Sequence, residues 1–124
     1  MKKFEEKHNK TANRIIIKDI NSAKIRIKQR LNELAKTNGF TYNKVTIRNQ
    51  KTKWGSCSTK NNISLNIKLV TLPNELMDYV IFHELVHTKE KNHSKGFWAE
   101  LEKYVSDAKV LDKRLNKYMI KLTI

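Results

Sequence analysis

The stretch LPNELMDYVIFHELVHTKE, residues 72–90, limits what this chain can fold into more than any other. Pro73 near its start suits the first turn of a helix. Val80, Ile81, Phe82, Leu85 and Val86 then put apolar side chains on every side of the helix. Such a helix has to be covered on several faces by the rest of the molecule. It also carries His83 and His87 at i and i+4, with Glu84 directly after the first. On a helix those imidazoles stand one above the other, about 5–6 Å apart. A buried helix does not bring two ring nitrogens inward without partners for them. Backbone carbonyls are one kind of partner and a shared metal ion is the other. Glu84 favours the metal. It is rotated about 100° from His83, so it is badly placed as a ligand but able to reach a water on the ion. That is the mechanical content of an HExxH segment.

A third ligand has to come from outside the helix. His93 lies in KEKNHS, just past the expected helix end, and a turn there can bring it back. This is the favoured reading; Glu102 and, less so, Glu100 on a following helix are rivals. His8 sits in a charged terminus and is a poor candidate. Three protein ligands leave a fourth position open, the mark of a catalytic zinc ion. Such an ion lowers the pKa of its water to about 7 and polarises a carbonyl. Glu84 is then expected to take the proton and deliver it to the leaving amine. The expected chemistry is peptide-bond hydrolysis without a covalent intermediate, with one zinc ion as cofactor.

The 124 residues suffice for one domain with one core, read as 1–124 with a basic N-terminal segment over about residues 1–20. No apolar run reaches the roughly 18–20 residues a bilayer needs, and MKKFEEKHNK does not read as a secretory signal. Cys57 is the only cysteine, so no intrachain disulfide forms and a reducing, cytoplasmic setting is expected. The net charge is +14, concentrated at the front: residues 1–53 hold 15 Lys/Arg against 4 Asp/Glu. Such a field draws polyanions, so nucleic acid is a candidate partner. A lysine-rich solvated surface explains the charge equally well.

Around the histidine helix, RIIIK (14–18) suggests a short strand and residues 21–39 a helix. Asn21 or Ser22 would cap that helix and Gly39 would end it. YNKVTIRN (42–49) alternates as a strand does. KWGSCS and NISLNIKL read as a β-hairpin joined at TKNN, where Asn61 and Asn62 tolerate left-handed turns. Residues 96–107 and 110–122 read as two more helices. The order predicts an α+β domain.

The segments RNQKTKWGSCS, NISLN and LPNELMDYVIFHELVHTKEKNHSKGFW together resemble the YgjP-like (DUF45) metallopeptidases, neighbours of the SprT-like and WLM zinc peptidases. The resemblance spans about residues 42–106. It implies a compact zincin-like domain, with a small sheet packed on the active-site helix and further helices on the C-terminal side. It implies zinc on His83, His87 and His93, with Glu84 catalytic, and favours His93 over Glu102. It also draws attention to Arg48, Trp54, Gly55 and Ser56 upstream, matched to a family arginine and Trp-Gly-Ser segment.

Arg48 can hold a substrate carbonyl or carboxylate, or it and Trp54 can simply brace the hairpin. Asn92 is placed to orient His93 or an oxyanion. Asn66 is expected to serve the hairpin, and Cys57 to be a small buried side chain. Asn62 stands where the family pattern suggests a glycine in the hairpin turn. The leading function is a zinc metallopeptidase acting on polypeptides, with proteins associated with nucleic acid as a narrower version. A zinc hydrolase of nucleotides or other phosphorylated substrates, and a non-catalytic zinc-containing binding module, are the alternatives.

Overall fold

The computed structural model describes residues 19–123; the strand suggested at 14–18 and His8 lie outside them. The chain begins with helix α1 (Ile20–Asn38). Asp19, not Asn21 or Ser22, is its N-cap: the carboxylate accepts from Ser22 N at 3.0 Å and Ser22 Oγ at 2.7 Å. Gly39 ends the helix at φ 74, where a side chain would be strained. Ala23, Ile27, Leu31, Leu34 and Ala35 form the buried stripe, leaving Lys24, Lys28 and Lys36 in solvent.

Three strands follow: β1 (Lys44–Arg48), β2 (Gly55–Cys57) and β3 (Asn62–Asn66). β2 and β3 form the expected antiparallel hairpin, with Cys57 opposite Ile63 and Gly55 opposite Leu65. The left-handed residue of its turn is Asn61 (φ 63), while Asn62 already belongs to β3. The sheet order is β1-β3-β2, because β1 pairs in parallel with β3. The chain therefore passes from β1 across the end of β3 to reach β2. Asn66 secures that crossing: buried, it donates through Nδ2 to Gln50 O (2.8 Å) and Lys53 O (3.0 Å). Its Oδ1 accepts from Lys68 N at 2.9 Å and starts the 3-10 turn Ile67–Thr71. Residues 67–69, read above as the end of the second hairpin segment, lie in that turn.

Helix α2 (Asn74–Val86) follows Pro73 and ends at His87. It touches α1, β2, β3, the 3-10 turn and the two helices after it, α3 (Lys95–Glu102) and α4 (Ala108–Asn116). This surrounding cover is why the helix lacks a polar face: Leu76, Tyr79, Val80, Ile81, Phe82, Leu85 and Val86 are all buried. Arg30 joins α1 to α2 by a two-pronged pair with Asp78 (2.9 and 2.8 Å). The last segment is not a continued helix but a 3-10 turn, Met119–Thr123. It is docked by buried Lys68, whose Nζ donates to Leu122 O at 2.8 Å, and by Lys121 Nζ on Thr71 O.

No helix among the described residues is long and apolar enough to cross a membrane. Leu85 is fully buried beside the histidines, whereas Ile25 on α1 is 56 % exposed. Leu85→Ala is expected to lower unfolding free energy by about 3 kcal/mol, and Ile25→Ala by no more than about 0.5 kcal/mol, both read by chemical denaturation.

Candidate metal centre

His83 occupies the last turn of α2 and His87 is its C-terminal cap. The chain then turns, with Lys89 N and Glu90 N both donating to Val86 O at 2.9 Å. This reversal brings His93 back over the helix end. His93 Nε2 lies 3.2 Å from His83 Nε2 and 3.1 Å from His87 Nε2. The three ring nitrogens lie within 4.8 Å of one another.

The protons in this cluster can be assigned from its neighbours. His87 Nδ1 is 2.8 Å from Glu90 O, a carbonyl that can only accept, so Nδ1 carries the hydrogen. Burial holds the His87 pKa below its ordinary value, which favours the neutral ring with a bare lone pair on Nε2. His83 Nδ1 lies 3.0 Å from Glu84 Oε2. Donation to that carboxylate likewise leaves the lone pair on Nε2. Only the His93 ring then has a proton to offer at the centre, and one hydrogen cannot satisfy two lone pairs well. A cation can. Two ligands about 2.0–2.1 Å from a tetrahedral zinc stand roughly 3.3 Å apart, close to the 3.1 and 3.2 Å that separate His93 Nε2 from the other two nitrogens. The donor set thus fits a metal ion, and the Nδ1 partners are the kind that orient ligating histidines.

Phe97, on α3, packs against all three rings. It stacks on His87 (centroids 4.5 Å apart, planes at 28°) and meets His83 and His93 edge-on at 5.0 and 4.9 Å. It is fully buried. The glutamates considered as third ligands are engaged elsewhere. Glu102 accepts from Asp107 N (3.1 Å) and Ala108 N (2.7 Å), capping α4. Glu100 binds Lys103 (2.9 Å) and the Tyr104 hydroxyl (3.2 Å).

Glu84 is 4 % exposed and lies against β2. A Cβ on Gly55 would come within 3.1 Å of Glu84 Cγ and 3.2 Å of Ser64 O, so only glycine lets the strand approach this closely. Gly55, Trp54, Tyr79, Val80, His83, Glu84, Leu115 and Met119 contribute to one cavity of about 210 Å³. Trp54 is buried with no partner for Nε1 among the described residues. Tyr79, one turn before His83, donates its hydroxyl to Asp112 Oδ1 at 2.8 Å.

The remaining candidates lie apart. Arg48 and Ser56 line a different groove, of about 470 Å³, together with Thr46, Lys53 and Ser64. Asn92 is exposed in the loop before His93. Cys57 is half-buried, and burial raises its pKa, which favours the thiol. Phe97 and the Glu90 carbonyl were not singled out as site residues from the sequence. The GFW that follows NHS was a signal for the first, but a backbone acceptor leaves none.

Comparison with known proteins points to metallopeptidases. The chain matches the YgjP-like metallopeptidase domain over residues 2–118. It is similar to the crystal structure of the metallopeptidase zymogen of Pyrococcus abyssi abylysin, with 32% identity and a TM-score of 0.62, covering 72% of this chain and 90% of that one. It is also similar to the metallopeptidase zymogen of Methanocaldococcus jannaschii jannalysin, with 29% identity and a TM-score of 0.64, covering 75% and 96%. A search of curated proteins gave no match. Taken with the three converging imidazoles, the match over residues 2–118 means that this chain belongs to the YgjP-like metallopeptidase family.

Proposed function

We propose that the chain hydrolyses peptide bonds with a single zinc ion held by His83, His87 and His93, and with Glu84 as the proton-transfer group. The observation that carries this reading is the three Nε2 atoms facing one another, two of them with Nδ1 beside an oxygen acceptor. Zinc bound there would supply an acidified water and a Lewis acid for the substrate carbonyl.

The protein's own groups do the rest. Glu84 accepts a proton from the attacking water and passes it to the departing nitrogen. Its position against Gly55 fixes the carboxylate beside the first histidine. β2 is an edge strand among the described residues. Its free main-chain groups can pair with an extended substrate, which would hold the scissile bond near Glu84. The mostly apolar cavity lined by Trp54, Val80, Leu115 and Met119 opens beside the same residues and can take an apolar substrate side chain.

Glu84→Gln is expected to keep zinc, at a stoichiometry of about one per chain by elemental analysis, and to lose at least about 100-fold in peptidase rate. Full activity in that variant would remove the proposed role. His93→Ala is expected to lose zinc affinity. Glu102→Ala should bind zinc as the wild type does and lose only about 1 kcal/mol of stability, since it caps α4. The opposite pattern in a chelator competition would make this a glutamate-type centre.

A narrower reading concerns the setting. The solvent face of α1 carries Lys24, Lys28 and Lys36, and the outer groove of the sheet is lined by Arg48 and Lys53 without a carboxylate. This distribution favours action on proteins associated with nucleic acid. DNA or RNA binding should then persist in Glu84→Gln and weaken steeply as salt rises. No measurable affinity at physiological salt would remove the narrower reading and leave the peptidase intact.

A further inference from the structure

The segment that carries His93 leaves α2 at His87 and enters α3 at Lys95, with no regular structure of its own after the first turn. Residues 89–94 are all exposed. A ligand on such a segment is held only as well as the segment is held. Two lysines tie it to the rest of the molecule in different directions. Lys89 Nζ lies 4.6 Å over the Phe40 ring and 3.7 Å from Glu100. Lys91 reaches to the hairpin. Its Nζ donates to Ser58 O at 2.9 Å and to Asn61 Oδ1, and lies 4.0 Å from Cys57 Sγ.

Ser58 and Asn61 belong to the turn between β2 and β3, and Cys57 is the last residue of β2. An ammonium has three hydrogens and no acceptor, and the hairpin offers two oxygens and a sulfur on one side of it. The turn is itself well fixed. Ser58 Oγ accepts from Lys60 N and Asn62 N (3.3 and 3.1 Å), Ser58 N donates to Asn62 O (2.9 Å), and Asn61 N donates to Ser58 O (3.0 Å). Asn61 holds the left-handed position without needing glycine. Lys91 therefore joins an exposed, irregular segment to a hydrogen-bonded turn, two residues before the third imidazole.

We propose that Lys91 is a positioning residue for His93: its ammonium fastens the ligand segment to the hairpin turn and so presets the third imidazole for the metal. The inference rests on the zinc centre proposed above. Preordering the segment removes an entropic cost from metal capture. The same contact links the metal segment to the strand that adjoins Glu84, so ligand and substrate edge keep one relative position.

The sign of the effect separates this role from a bystander charge. A lysine close to a divalent ion repels it, so removing the charge by itself would leave affinity unchanged or make it tighter. Loss of positioning makes it weaker. Lys91→Met keeps the length of the side chain without the donors. Zn²⁺ affinity, measured on the full chain by competition with a chromogenic chelator, is expected to fall about tenfold or more. Lys91→Arg, which keeps charge and donors, should recover most of the affinity. Asn61→Gly keeps the turn conformation and deletes one acceptor. It should also weaken Zn²⁺, and combined with Lys91→Met it should add little. The Co²⁺ d–d spectrum of Lys91→Met should shift from that of the wild type, while thermal melting of the metal-free forms stays alike. Zn²⁺ affinity unchanged or tighter in Lys91→Met, with a wild type that binds, would overturn the positioning role alone. A wild type that takes up no Zn²⁺ would overturn the metal centre and this inference together.

Discussion

Three imidazole nitrogens gathered within 4.8 Å, with that of His93 at 3.1 and 3.2 Å from the other two, are an unstable arrangement unless something fills the space between them. Here the neighbours decide what that must be. A carbonyl beside His87 and a carboxylate beside His83 each take an Nδ1 hydrogen, so both rings turn a lone pair to the centre. Phe97, fully buried, packs against all three rings and gives them a common apolar floor. A cation resolves the excess of lone pairs, and much of the surrounding architecture can be understood as support for that arrangement. α2 is apolar on nearly all faces because β2, β3, α1, α3 and α4 all pack on it. β2 has a glycine where the helix brings Glu84 against it.

The proposed metal set divides into a part fixed on a helix and a part carried by an exposed segment. His83 and His87 are fixed by one buried helix, whose spacing alone makes their rings converge. His93 comes from an exposed segment, and its position depends on what holds that segment: the reversal onto Val86 O, Lys89 on one side and Lys91 on the other. In this chain the glutamate in the competing position is already used, since Glu102 caps α4 with both oxygens.

The histidine helix was legible because helical period and burial act locally. Residues three and four apart share a face whatever else the chain does, so His83, Glu84 and His87 could be given relations before any tertiary contact was known. The hairpin was legible for a similar reason, and of the two asparagines that tolerate its turn Asn61 takes the left-handed place. The parallel pairing of β1 with β3 was not, because nothing in either strand records a partner eighteen residues away. Asn66 shows the same limit: its three bonds hold a crossing that exists only once the sheet order is set. The third ligand stayed open between His93 and two glutamates because a loop residue has no period. Residues 67–69 and 119–122, read as the ends of a strand and a helix, lie in 3-10 turns fixed by tertiary contacts: Asn66 starts the first, and Lys68 and Lys121 tie the second to it.

The central claim is a zinc shell of three imidazoles with one place left for solvent. X-ray absorption at the zinc edge of the metal-loaded protein tests it most directly. The account predicts three imidazole nitrogens at about 2.0–2.1 Å and one further light-atom ligand. A shell with a carboxylate in place of one imidazole, with sulfur from Cys57, or with fewer than three imidazoles would contradict it.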